Sequence, residues 1–190
     1  MRRCLAGAVA LATLVGCAPL PLASPAPAGP VSAITATSYR LEGRLSVRAA
    51  EQQFAGGIAW TRQGEEQEIL LRTPLGQGVA EVRLGPAGAS LTDSEGKVYQ
   101  AEAGETLLQQ ALGLTLPLAG LSYWLRGQPD PARPFSGLPD GLGGWSSLEQ
   151  DGWRIEYGSA LAGTGLPGRL VARRADELEI RLVVDAWLMP

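Results

Sequence analysis

Side chains able to do chemistry are few in this chain, and their types narrow the options quickly. There is no histidine among the 190 residues. That removes the usual base of a Ser-His-Asp triad, the commonest zinc ligand and the physiological proton switch. Carboxylates remain: Glu65, Glu66, Glu68, Asp93 and Asp140 have the right groups for an acid–base pair. Each stands beside a turn signal or on the polar side of an alternating run, the usual setting of solvated surface charge. No G-x-S-x-G elbow, P-loop or G-x-G-x-x-G follows a strand and opens a helix. The residues point to a non-enzyme with no cofactor and no metal.

The two cysteines, Cys4 and Cys17, lie near the start. Arg2 and Arg3 precede an apolar run from Leu5 to Gly16, too short for a bilayer span of roughly 20 residues but of secretory-signal form. The flanks of Arg2-Arg3 do not support a twin-arginine signal. Leu14-Val15-Gly16-Cys17 matches the bacterial lipobox, in which residues 1–16 are removed and the cysteine is acylated. An ordinary signal peptide that happens to contain a cysteine is the plainer alternative. On the lipobox reading the mature domain keeps no free thiol, so no disulfide can form even in the periplasm. Several acyl chains on Cys17, at about 0.8 kcal/mol per buried CH₂, would hold it in a membrane essentially permanently. Ala18 follows, where Asp commonly retains a lipoprotein in the inner membrane; the expected place is the outer membrane, with the domain facing the periplasm.

The elements that must carry any site begin further on. Residues 17–38 are rich in Pro, Ala and Ser, and no charge occurs from Ala18 to Ser38, the composition of an extended tether. Residues 39–190 are long enough for one domain with its own core. Without Arg2 and Arg3 the formal charge is about −5 by simple counting. No basic stripe appears, which argues against nucleic acid.

Tyr39, Leu41, Gly43, Leu45 and Val47 alternate with Arg40, Glu42, Arg44, Ser46 and Arg48, a strand with one greasy face. The same period recurs around Phe54–Trp60, Ile69–Arg72 and Ala80–Leu84, then in short runs at Ser90–Asp93 and Val98–Ala101. In GETLLQQALG the spacing becomes helical at Leu107, Leu108, Ala111 and Leu112, closed by Gly113. Leu118, Leu121 and Leu125 continue it, with Trp124 alongside, until Gly127 and Pro129. Strands return at Trp145–Gln150, Trp153–Tyr157, Leu170–Ala172 and Leu178–Val184, with ARRADE as a polar hairpin tip. This predicts a mainly β domain with a helical insert, a meander or barrel-like antiparallel sheet. Leu45, Ile58, Trp60, Leu71, Leu84, Leu108, Leu121, Trp124 and Ile155 are the candidate lining of its concave side. A solidly filled interior fits the pattern equally well.

One residue resists this scheme. In ILLRTPLGQG, Pro74 and Gly76 suit a turn, but turn chemistry gives no reason for Leu75 between them. A leucine at such a place ordinarily folds back onto the nearest core.

Taken in order, several stretches resemble the LolB family of outer-membrane lipoprotein receptors. They are Leu41-Glu42-Gly43-Arg44-Leu45-Ser46-Val47, Gly57-Ile58-Ala59-Trp60, Leu70-Leu71-Arg72-Thr73-Pro74-Leu75-Gly76-Gln77, Leu116-Pro117-Leu118, Trp124-Leu125-Arg126-Gly127, Gly152-Trp153-Arg154-Ile155-Glu156-Tyr157 and Ala186-Trp187. Each is weak alone; their order behind a lipobox is specific. Some relatives carry a polar amphipathic helix before the first strand, where this chain has Pro25, Pro27 and Pro30. The resemblance implies an unclosed antiparallel barrel around helices, with a hydrophobic cavity for acyl chains. It implies a LolA-type periplasmic carrier, acylated lipoprotein cargo and outer-membrane phospholipid as partners, and a monomer. It also gives Leu75, with Pro74 and Gly76, the place of an exposed leucine on a loop that delivers cargo into the membrane. Two other readings stay beside it: a lipid-anchored envelope assembly protein with a filled core, and a carboxylate-based hydrolase of envelope glycans.

Overall fold

The computed structural model describes residues 38–49, 53–175 and 178–188. The expected signal segment, Cys17 and the expected tether lie outside them, except the last tether residue, Ser38, which opens the first strand. Eleven strands and two helices follow in chain order: β1 (Ser38–Arg48), β2 (Gln53–Gln63), β3 (Glu66–Arg72), β4 (Gly78–Gly85), β5 (Gly88–Asp93), β6 (Val98–Ala101), α1 (Gly104–Leu112), α2 (Leu118–Trp124), β7 (Phe135–Pro139), β8 (Trp145–Gln150), β9 (Trp153–Tyr157), β10 (Arg169–Arg174) and β11 (Leu178–Leu188).

All strands join one antiparallel sheet in the order β6-β5-β4-β3-β2-β1-β11-β10-β9-β8-β7. Sequence neighbours pair throughout except at the middle, where the first strand meets the last, Arg48 opposite Glu179 and Leu41 opposite Trp187. β6 and β7 are the two margins, so the sheet is an open barrel, and the helical insert connects them. Because the strands alternate in direction, their turns fall on two rims. The β1–β2, β3–β4, β5–β6, β8–β9 and β10–β11 connections share one. The β2–β3, β4–β5, β7–β8 and β9–β10 connections share the other, together with Ser38 at the start of β1 and Leu188 at the end of β11.

Alternation decides which side of each strand is dry. Tyr39, Leu41, Leu45 and Val47 are buried, as are Ile58 and Trp60, Ile69 and Leu71, and Ala80 and Val82. Two glycines let the sheet bend sharply. At Gly43, where the β1–β11 register shifts, a Cβ would run into the Val183 carbonyl oxygen; at Gly56 it would run into that of Arg72. Bulges and glycines of this kind curve a sheet that would otherwise stay shallow.

The helices fill the concave side. α1 buries Leu107 and Leu108 and ends at Gly113, whose left-handed φ of 65° lets its N–H reach the Gln109 carbonyl, while Leu114 N–H reaches that of Leu108. Glu105 in α1 accepts the Ala119 N–H at 2.9 Å and so caps the start of α2. Beyond α2 the chain is tied to β8 by Gln150, one of two buried polar residues among the described ones. Its Oε1 accepts from Trp124 Nε1–H and Asp130 N–H, both at 2.9 Å, and its Nε2 donates to the Asp130 and Arg133 carbonyls.

Three features differ from the pattern reading. β7 lies between Pro129 and Trp145, where the pattern gives no strand. Arg173 and Arg174, expected in the hairpin tip, still belong to β10. β11 continues past Val184 to Leu188, and the shift opposite Glu42/Gly43 explains why the alternation breaks near Asp185.

Candidate functional site

An apolar hollow lies between the sheet and the helices. Leu45 from β1, Ile58 and Trp60 from β2, Ile69 and Leu71 from β3, and Ile180 and Leu182 from β11 form its wall. Leu108, Leu116, Leu118, Leu121 and Leu125 come down from the helical insert to fill it. Its single polar side-chain atom, the Trp60 indole nitrogen, donates to Gln67 Oε1 at 3.1 Å. The room left is about 10 Å³, no more than a single water needs, roughly 10–15 Å³ on the same measure. The open cavity that the resemblance implies is therefore closed: the protein's own leucines occupy the space.

Six of the nine expected lining residues meet there: Leu45, Ile58, Trp60, Leu71, Leu108 and Leu121. The other three stand elsewhere. Leu84 borders an open depression at the β4–β5 turn. Trp124 packs against Trp153 at 6.0 Å between ring centroids and borders an open groove of about 890 Å³ whose walls include Glu105, Arg133, Asp151 and Arg174. Ile155 is wholly buried in the core. The sequence pattern did not single out Ile69, Leu116, Leu118, Leu125, Ile180 and Leu182 as lining. Leu116 and Leu118 flank Pro117, and the straddled proline was the available signal.

The β3 wall of the hollow runs from Ile69 and Leu71 into the turn that carries Leu75, which is 89% exposed. Thr73 N–H donates to the Gln77 carbonyl at 2.7 Å, and Gln77 N–H donates back to Thr73 Oγ1 at 3.2 Å. Gly76 takes φ of 87°, which favours glycine. Two other hairpins repeat this arrangement. In Asp93–Lys97, Asp93 N–H donates to the Lys97 carbonyl at 3.0 Å and Lys97 N–H to Asp93 Oδ1 at 3.0 Å. In Asp140–Gly144 the matching bonds are 3.0 and 2.7 Å, with Leu142 N–H also on Asp140 Oδ1. The third seats of these turns hold Leu75, Glu95 and Leu142. Glu95 shows that the turn itself asks nothing greasy of that seat, so its geometry does not explain Leu75.

The carboxylates have structural duties. Asp93 and Asp140 cap their turns, and the N–H groups of Gly144 and Leu142 hold the Asp140 carboxyl below its ordinary range. Glu68 lies 3.7 Å from Arg83, and Glu65 and Glu66 are exposed. Among the described residues no three His, Cys, Asp or Glu side chains come together as a metal site. At the end of α2, Arg126 lies over the rings of Tyr123 and Tyr39, its guanidinium lowered from its usual range by burial.

The family model for "Outer membrane lipoprotein LolB" matches residues 37–187. The chain belongs to the LolB family. Outer-membrane lipoprotein LolB of Thiobacillus denitrificans is 37% identical over 187 residues, covering 98% of each chain. That of Nitrosomonas europaea is 38% identical over 152 residues, 78% of this chain and 72% of the relative. That of Cellvibrio japonicus is 32% identical over 196 aligned positions, covering 97% and 95%. The crystal structure of a DUF1329 family protein from Desulfovibrio piger shares the fold, with a TM-score of 0.54 at 8% identity over 82% of this chain and 87% of that one. The LolB match spans the sheet from the residue before β1 into β11, and with it the hollow, its leucine filling and the Leu75 turn. Like its relatives, this LolB-family chain is an outer-membrane lipoprotein.

Proposed function

We propose that this LolB-family chain is a receptor that accepts acylated lipoproteins from a LolA-type periplasmic carrier and inserts them into the outer membrane without nucleotide hydrolysis. It acts as a monomer, not as an enzyme, held by acyl chains on Cys17 after residues 1–16 are removed, with 18–37 as tether. The observation that carries the reading is the continuity of β3. One strand supplies Ile69 and Leu71 to an apolar hollow and then presents Leu75, nearly fully exposed, at its rim.

The filled hollow fits such a task. An acyl chain of about fifteen methylenes gains roughly 12 kcal/mol on leaving water, at about 0.8 kcal/mol each. To enter, it must displace leucines of the helical insert. Exposing Leu116, Leu118, Leu121 and Leu125 would cost about 1.5–3 kcal/mol each. For one chain the two totals are comparable, so each chain that enters competes with the protein's own filling and is held only moderately. Moderate affinity is what a downhill relay requires, since a ligand gripped too tightly would not leave for the bilayer. Leu75, contributing about 1.5–3 kcal/mol in lipid, is too weak to anchor the protein but sufficient to bring the rim of the hollow against the membrane.

The test is transfer of lipoprotein from carrier to Leu75→Glu protein and onward to outer-membrane lipid vesicles. The expected result is normal folding, normal acceptance and impaired insertion. An unfolded variant, lost acceptance or undiminished insertion would overturn the role given to Leu75.

A further inference from the structure

Leu142 stands 95% exposed at the third place of a five-residue turn closed by the same two bonds as the Leu75 turn, with left-handed Gly141 where that turn has Pro74, yet on the other rim of the sheet. Glu95, in the third copy of that turn, demonstrates that a charged side chain sits there without difficulty. The Asp140–Gly144 turn is firmly built: Asp140 Oδ1 accepts two N–H groups at 2.7 Å each, and Gly141 and Gly143 take φ of 77° and 98°. Nothing in it needs a leucine. Leu138, at the end of the strand leading to this turn, is also largely exposed, as is Leu188 on the same rim. Isolated surface leucines need no explanation; here three stand exposed on one rim, one of them at the tip of a firmly built turn.

The course of the chain identifies that partner. Ser38 opens β1 on the Leu142 rim, so the segment leading back to Cys17 leaves the domain there. Leu75 lies a strand length away, about 36 Å for eleven residues at about 3.3 Å each. Residues 18–37, fully extended at about 3.1 Å per residue, reach about 60 Å. We propose that Leu142 is a second lipid-contact tip, which seats the domain on its own membrane with the Leu75 rim turned to the periplasm. Carrier and cargo meet the domain in that pose. For delivery the domain turns over, and the segment after Cys17 is long enough to run back along the strands and let Leu75 reach the same bilayer. The occupant is phospholipid surface. This inference rests on the lipidation of Cys17 but not on the role of Leu75.

Because acylation blocks Cys17, a cysteine placed at a tip is the only free thiol of the mature chain. Full-length acylated Leu142→Cys, Leu75→Cys and Glu95→Cys proteins are each labelled with an environment-sensitive fluorophore. They are then reconstituted in vesicles of phosphatidylethanolamine and phosphatidylglycerol, without carrier or cargo. The label at 142 is expected to shift to the blue and to be quenched by lipid-borne spin labels, while those at 75 and 95 remain in water. Leu142→Glu, which copies the residue tolerated at Glu95, is expected to fold normally. It should lower the fraction of domains seated at the membrane by roughly tenfold or more, read by quenching at a label on Ser146, which is exposed beside the Leu142 turn. A label at 142 that stays in water, or that is shielded only when carrier binds, overturns the assignment. Cargo insertion that survives Leu75→Glu would overturn the role given to Leu75 instead, so the two failures are separable.

Discussion

Replacing Leu121 with Ala should weaken the empty protein and strengthen its grip on cargo. Leu121 is almost fully buried and fills the hollow from α2. With only about 10 Å³ open around it, its neighbours are already in contact and cannot readily collapse into the vacated space. Truncation of such a leucine costs about 2–5 kcal/mol of stability. That penalty belongs to the empty state alone if an acyl chain takes the place of the side chain. The bound state is then little affected, and the gap between the two states widens in favour of binding. A shift of 2 kcal/mol is roughly thirtyfold in affinity, with slower release to match. Urea unfolding measures the first effect; displacement of a fluorescent fatty acid by a diacylated lipopeptide measures the second. Leu148→Ala is the control, since Leu148 is equally buried but lies on β8 outside the hollow; it should destabilise without tightening. If Leu121→Ala destabilises and leaves lipopeptide affinity unchanged or weaker, cargo does not displace the insert, and the competition described above is wrong.

Other expectations follow from single contacts. Gln150→Leu strands the Trp124 indole N–H and the Asp130 N–H in the interior; equilibrium unfolding should show a loss of about 3 kcal/mol or more. Gly56→Ala sets a methyl against the Arg72 carbonyl oxygen, and a loss of at least about 2 kcal/mol should appear in the same measurement. The Glu179 carboxyl is held below its ordinary value of 4.5, first by its hydrogen bond from Arg181 and then by Arg173. A depressed carboxylate adds stability that is present above its unfolded value and lost as pH falls through its folded one. Wild-type protein should therefore lose stability on acidification below about 4.5, and Glu179→Gln should flatten that part of the profile, read by thermal unfolding at a series of pH values.

Where the sequence was informative, the reason is that one side of the sheet is wet. Arg40, Glu42, Arg44 and their counterparts keep the period of two visible, and the ends of β6, β8 and β9 follow from it directly. β7 was illegible because Phe135-Ser136-Gly137-Leu138-Pro139 is a marginal strand paired only with β8. Its exposed leucine and terminal proline hide any alternation, and Gly137 is present because Trp145 and Leu148 crowd its backbone. The hollow was only half legible. Apolar periodicity identifies which residues face inward, but the remaining room depends on how six elements fit together, which no single stretch records. Leu75 stood out because its turn already had a proline and a glycine to account for it. Leu142 was missed because three surrounding glycines read simply as loop, although its seat is the same.

The pairing of the first strand with the last has a consequence for biogenesis. Among the described residues, β1 and β11 are the only strands that pair the β1–β6 meander with the β7–β11 meander. Each half can zip locally, but joining them requires closing a loop of well over a hundred residues, an entropically slow step. Until β11 has emerged, the helical insert has no finished wall to settle against. A polypeptide with this wiring remains threadable while it is secreted and locks only afterwards. Clipping its last strand would sever the structure into two unmatched pieces rather than shave an edge.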